Sequence, residues 1–422
     1  MKKFRGGIII ISVLLFIACD LFDWRQLERD NPLDPGAANY VIPPPEGVLD
    51  ASFSTDGVIV FSAPNPSNTS NGKAVLLDGD ENIVVAGDIG DSAGNYSEIG
   101  TWRFNSDGTS DSSFDSNGWT VKNFLEEDWG TCVDLAPGGK LLVGGDSYLP
   151  PLYTQGNVIL RYNSNGTLDS SFDTDGAVTY DISGTQYTKA VASRSNGDVF
   201  LLVHDSANTD TLILAYEEDG DPVTGFGSSG IVTYGTFNPT PEDMILDADE
   251  KILVTGKNNS SDMILLRYLT NGTPDSTFDS DGEVTYPTVG AISGNSLALD
   301  SQGRILVTGY IGTDLKVWRY LSNGNIDTDF GSSGLATYSN AVGEDIYVDP
   351  MGMIFVAGTS GSNLVLCCFD SNGNLFTDFG TGGVVTRANV SNPAVTGDSL
   401  RRVTVAGTDI SSGTKMILLR YK

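Results

Sequence analysis

A single histidine stands among 422 residues, with four cysteines and 24 basic side chains against 54 acidic ones. One imidazole excludes any metal site or acid–base scheme that needs two or more of them. The shortage of positive charge leaves a formal net charge of −30 at pH 7. Duplex nucleic acid repels a body of its own sign, so no nucleic-acid partner is expected. No apolar run reaches the roughly 20 residues that cross a bilayer as a helix. Beyond residue 18, no segment sustains the 3.6-residue apolar period of an amphipathic helix. Walker, Rossmann, H-E-x-x-H and C-x-x-C patterns are missing, and with them the chemistries those motifs carry.

The chain opens with Lys2, Lys3 and Arg5, followed by an apolar run from residue 8 to residue 18 that stops at Cys19. A basic start and a short apolar stretch have the form of a secretory signal. Phe16-Ile17-Ala18-Cys19 resembles the lipobox of bacterial lipoproteins, with Phe16 where an aliphatic residue is usual. The resemblance implies cleavage before Cys19 and acylation of that residue; several acyl chains, at about 0.8 kcal/mol per buried CH₂, anchor a protein stably. Residues 1–18 are thus read as signal peptide and residues 19–46 as lipidated cysteine plus tether. Pro43, Pro44 and Pro45 make an extended, semi-rigid spacer. Asp20 favours inner-membrane retention under the enterobacterial sorting rule. The expected address is the cell envelope, with the outer membrane or cell surface ahead of the inner membrane.

Residues 47–422 repeat one unit seven times. Phe-x-x-x-Gly begins at Phe53, Phe114, Phe172, Phe226, Phe278, Phe330 and Phe379, at intervals falling from 61 to 49 residues. A Val two residues before Gly recurs at Val85, Val143, Val254, Val307, Val356 and Val405, with Val203 standing in the irregular third copy. Between Gly282 and Tyr320, four β-like runs read EVTY, NSLALD, RILVTG and DLKVWRY, divided by Ser/Asn/Gly turns. Four-stranded units at this period predict an all-β, seven-bladed β-propeller. The last copy stops at Lys422, and its missing continuation lies at Glu46 to Phe61. Val58 to Phe61 is therefore expected to close the ring as the seventh blade's outer strand, which removes free edges.

The stretches Ser301–Gly309 (SQGRILVTG) and Arg319–Gly334 (RYLSNGNIDTDFGSSG) resemble the delta-60 repeat family of β-propellers. The resemblance implies architecture; it carries no common activity, cofactor or site.

Within the repeats, Arg is followed eight residues later by Asp at Arg103/Asp111, Arg161/Asp169, Arg267/Asp275 and Arg319/Asp327. The third and sixth units lose both together, to Ala215/Val223 and Cys368/Phe376. Joint loss to apolar residues marks structural ion pairs exchanged for packing. Ring closure adds Arg420 with Asp50.

Candidate chemistry is sparse. His204 and the body cysteines Cys132, Cys367 and Cys368 read as turn and core residues. The acidic turns FDTDG, FDSDG and LDGDEN lack the spacing and distal Glu of a calcium loop, so calcium is a minor alternative and no cofactor is expected. Loop length offers one asymmetry. From the strand-ending Gly to the Arg position takes sixteen residues in units one and two, thirteen in unit seven, and ten or eleven elsewhere. These connections bring Tyr96, Tyr148 and Tyr153 to the face that also carries Glu126, Glu127, Asp128 and Trp129. Aromatics beside carboxylates suit a sugar or a peptide. The expected function is a membrane-anchored binding or scaffold module for an envelope protein or glycan. The alternative is a glycan-active hydrolase or lyase using carboxylates in the central channel.

Overall fold

The structure is a computed structural model that describes residues 44–61, 69–90, 97–124, 127–149, 154–182, 184–235, 239–287, 290–411 and 413–422. Residues from Pro45 to Lys422 belong to one compact unit. The described residues form strands and turns only, in seven antiparallel sheets of four strands each. The molecule is a seven-bladed β-propeller.

The innermost strands of blades 1 to 7 are Thr69–Leu77, Asp128–Ala136, Gln186–Ser193, Thr240–Leu246, Ile292–Leu299, Val342–Val348 and Val390–Gly397. The second strand of each blade is covered on both faces by neighbouring blades, so its first half reads as an apolar run, Ile83-Val84-Val85-Ala86 in blade 1; in Ile83–Gly90 every residue is buried. Short runs such as Glu283–Tyr286 do not open a blade. That strand pairs with Met263–Tyr268 and closes blade 4. The sequence unit therefore straddles two blades.

The core lies between blades. One cluster joins Phe200, Ile213 and Phe226 of blade 3 to Met244, Val254 and Ile264 of blade 4, and the other junctions are built alike. The seven repeat phenylalanines are at most 1% exposed. Four residues beyond Phe114, Gly118 adopts φ +90° and its N–H donates to the Phe114 carbonyl at 2.8 Å. An L side chain resists that conformation, which explains the glycine of Phe-x-x-x-Gly.

Each innermost strand also carries a β-bulge, at Lys73, Thr131, Lys189, Glu242, Asn295 and Glu344 and at the pair Asn392–Pro393. The bulged backbone presses on the second strand. A Cβ on Gly87 would stand 1.9 Å from the Asn71 carbonyl oxygen, and one on Gly309 would stand 1.9 Å from that of Ser293. This approach is the reason for the recurrent Val-x-Gly. Blade 3 departs from the expected register. Val203 pairs with Thr188 and so takes the glycine's place, while Leu201, opposite Val191, takes the valine's. Val203 packs there into the cluster shared with blade 2.

The ring closes as expected. Val58–Val60 pairs with Ile417, Leu418 and Leu419 of blade 7's third strand, Lys415–Tyr421. The N–H of Glu46 donates to the Lys422 carbonyl at 2.8 Å, and that of Asp50 to the Arg420 carbonyl at 2.8 Å.

Candidate functional site

The bulges decide what faces the centre. They push Lys73, Thr131, Lys189, Glu242, Asn295, Glu344 and Asn392 into a central cavity of about 610 Å³ lined by all seven innermost strands. Aligned by their bulges, the strands read Gly72-Lys73-Ala74-Val75, Gly130-Thr131-Cys132-Val133, Gly294-Asn295-Ser296-Leu297 and Gly343-Glu344-Asp345-Ile346. A polar residue between a small one and the apolar stretch is the signal that sequence reasoning passed over. Without the bulge it falls on no consistent face of a strand.

The cavity's charges are engaged by the protein itself. Lys73 meets Asp88 at 2.5 Å, and Lys189 of blade 3 meets Glu242 of blade 4 at 2.7 Å. Asp134 accepts from the Ser193 amide at 3.0 Å across the junction of blades 2 and 3. Asp243 accepts from the Leu297 amide at 2.8 Å and the Met244 amide at 2.7 Å. Asp345 accepts from the Val395 amide at 2.7 Å and the Ser296 hydroxyl at 2.8 Å, and Glu344 from the Thr359 hydroxyl at 2.5 Å. Burial outweighs these donors, pushing Asp134 and Asp243 up to about 6 and raising Asp345 and Glu344. Among the described residues, no group of three or more His, Cys, Asp or Glu is gathered as a metal ion requires.

On the first two strands of blade 2, Trp129 and Tyr148 meet edge to face with centroids 5.9 Å apart. The Glu127 carbonyl accepts from the Tyr148 amide at 3.4 Å. Asp128 turns inward: it is fully buried and accepts from the Phe124 amide at 2.7 Å, and burial raises its pKa. Tyr96, Glu126 and Tyr153 lie outside the described residues, as does Cys19. Part of the extra length in unit two extends strands, with Lys140–Leu149 and Thr154–Tyr162 running ten and nine residues against six each in Ile252–Lys257 and Met263–Tyr268. One blade further on, Tyr187 is 41% exposed and stacks on His204 at 6.3 Å with 17° between the ring planes. Burial and the nearby Lys189 lower the His204 pKa. The run Gly90–Gly94 (GDSAG) matches G-x-S-x-G. It joins two strands, Ile83–Gly90 and Ser97–Phe104, whereas a nucleophile elbow leads from strand into helix. Residues 91–94 lie outside the described ones.

The Arg–Asp pairs stand away from the cavity. Arg103, Arg161, Arg267, Arg319 and Arg420 reach Asp111, Asp169, Asp275, Asp327 and Asp50 at 2.6, 2.7, 2.9, 2.8 and 2.9 Å. Each guanidinium also lies over its unit's phenylalanine, 4.4 to 5.0 Å from the ring centre. The second nitrogen donates into the next blade, from Arg103 to the Ser164 carbonyl and from Arg267 to that of Ser322. Burial would raise Asp50, Asp111, Asp169 and Asp275. Hydrogen bonds from Ser52, Ser113, Lys140, Ser171 and Thr277, with the adjacent arginines, outweigh it and hold all four low. Cys132, Cys367 and Cys368 are free and buried, and burial pushes the Cys132 thiol up to about 12.

Four segments, residues 79–114, 137–172, 248–278 and 301–330, match the family described as "Domain of unknown function (DUF5122) beta-propeller". This is a propeller-repeat protein. No curated protein matches the propeller-repeat chain in sequence. Its fold is similar to virginiamycin B lyase from Staphylococcus aureus, solved as a catalytically inactive variant with quinupristin. That pair has a TM-score of 0.53 at 10% identity, over 86% of this chain and 98% of the lyase. The selenomethionine form of the lyase gives 0.51 at 10% identity, over 86% and 99%. The PQQ-bound aldose sugar dehydrogenase from Streptomyces coelicolor gives 0.45 at 15% identity, over 69% and 94%. Likeness at such identities shows the fold alone.

Proposed function

We propose that this propeller-repeat protein, a delta-60 repeat propeller, is a lipoprotein of the bacterial cell envelope. It is held to a membrane through acylated Cys19, and its propeller is a binding or scaffold module for an envelope protein or glycan. The observation that carries the binding reading is the state of the cavity's carboxylates. Asp134, Glu242, Asp243, Glu344 and Asp345 are each engaged by an amide, a hydroxyl or a lysine of the protein. These bonds commit the carboxylates to the ring itself and hold the lining as a fixed set of donors and acceptors, which is what a binding site uses.

Two measurements test the two halves. Radiolabelled palmitate fed to a bacterial host should label the full chain and leave Cys19→Ser unlabelled; equal labelling removes the anchor. The purified protein, offered envelope glycans and envelope proteins, should bind without altering them; catalytic turnover would move the reading to the hydrolase or lyase alternative.

A further inference from the structure

We propose that the channel rim across blades 2 to 4 is a groove for a neutral oligosaccharide chain. This rests on the reading of the propeller as a binding module and names its ligand class.

The first observation is positional. Trp129 and Tyr187 each stand two residues ahead of a bulge, at Thr131 and Lys189. The same register holds Asn71, Thr240, Ser293 and Val342 in blades 1, 4, 5 and 6. Aromatic rings thus occur there on two consecutive blades. Both are braced by a second ring, Trp129 by Tyr148 and Tyr187 by His204. Bracing fixes a ring's orientation before anything binds, and Tyr187 keeps 41% of its surface open. The weakly positive C–H bonds on one face of a pyranose pack against the negative face of such a ring.

The second observation is what lies inward of the rings. Two residues on from Tyr187, Lys189 meets Glu242 of blade 4 at 2.7 Å, and that pair lines the cavity. Beyond it the bulge positions present Asn295, Glu344 and Asn392. Both lining lysines are neutralised, by Asp88 and Glu242. The lining therefore offers donors and acceptors in place of uncompensated positive charge. Sugar hydroxyls, which donate and accept at once, match that set; an anionic chain would meet the body's negative charge. A cavity near 610 Å³ lies within the range of small-ligand sites.

Titration calorimetry on the full chain in detergent, with cellohexaose, mannohexaose and chitotetraose as probes, tests the groove. At least one should bind saturably. Tyr187→Ala and Trp129→Ala should each weaken it about tenfold, the loss of one stacked ring, and Tyr187→Phe should keep it. The exposed Tyr187→Ala should unfold at the wild-type temperature, so lost binding is not lost fold. Failure of all three sugars, or binding indifferent to both rings, overturns the groove. A lysine-rich hexapeptide binding through Trp129 in their place would sink the oligosaccharide and spare the binding module. Cleavage of a bound sugar would keep the groove and sink the non-catalytic reading.

Discussion

Arg267 shows what a buried guanidinium requires here. Its Nε donates to Asp275 at 2.9 Å, Nη2 to the Thr277 hydroxyl at 3.3 Å, and its plane lies 4.5 Å from the Phe278 ring centre. Removing Asp275 strands the Arg267 charge in the core, whereas Asp275 without Arg267 keeps Lys251 at 2.9 Å. Asp275→Ala should cost about 3 kcal/mol and Arg267→Ala less, and the double variant clearly less than their sum. Strict additivity in chemical denaturation would show that the pair does not act as one. The exchange in blades 3 and 6 also has a visible mechanism. Phe200 stands directly opposite Ala215, and Phe355 opposite Cys368. Each packs edge to face on the repeat phenylalanine, Phe226 at 5.4 Å and Phe379 at 5.8 Å, where an arginine lies elsewhere. In blade 5, Leu306 is opposite Arg319. Adding Leu306→Phe to Arg319→Ala with Asp327→Val should therefore recover part of the lost unfolding temperature; a further drop would refute the substitution rule. Four of the Arg–Asp pairs were legible in the sequence because both partners lie eight residues apart in one unit, and ring closure added Arg420 with Asp50. Phe200 and Phe355 were not, since the residue that answers Ala215 or Cys368 sits across the ladder.

At the scale of the strand, the bulge is the element that makes a lumen out of a packed sheet edge. Buried carboxylates also tie neighbouring blades together. Asp134 and Asp146 span blades 2 and 3, Asp243 blades 4 and 5, and Asp345 blades 6 and 7, each accepting an amide of the following innermost strand. Burial raises Asp134, Asp146 and Asp243 to about 6 from 3.8. The folded state then binds more protons than the unfolded chain between about pH 4 and 6, so stability should rise as pH falls through that window. Asp50, Asp111, Asp169 and Asp275 are held low and act oppositely, with their contribution lost as pH drops below about 4. The unfolding temperature should pass through a maximum near pH 4. Asp243→Asn should flatten its neutral side, and an unchanged slope there would mean Asp243 does not titrate in this range. Seven-fold periodicity was readable because Phe, Gly and the closing aromatic recur at fixed offsets. The cavity ring was not, because a one-residue insertion shifts the inward face and simple alternation then points to the wrong side chains.

For the whole molecule, the decisive event is closure. Phe61 N–H donates to the Met416 carbonyl at 2.9 Å, Arg420 meets Asp50, and the Arg420 N–H donates to the Gly57 carbonyl at 3.0 Å. Deleting residues 44–61 leaves blade 7's third strand, Lys415–Tyr421, with an unpaired edge and a buried guanidinium without its carboxylate. Compared with a chain lacking only residues 1–43, that deletion should unfold at much lower temperature and associate through the open edge. A monomer of unchanged stability by light scattering and calorimetry would show that closure is dispensable. This closure was legible because the last copy breaks off where the first segment resumes.

The same closure determines how the ring meets mechanical load. Any pull transmitted along the chain into Pro45 arrives first at Glu46, whose amide holds the Lys422 carbonyl and whose carbonyl holds the Gly380 amide, each at 2.8 Å. Those bonds tie the entering chain to the last residue of blade 7 and to the turn that follows blade 6's third strand, Asn363–Phe369. Tension is thereby divided between two blades before it reaches Val58–Val60, and the site of strain lies on the ring's seam, apart from the aromatic rim of blades 2 and 3.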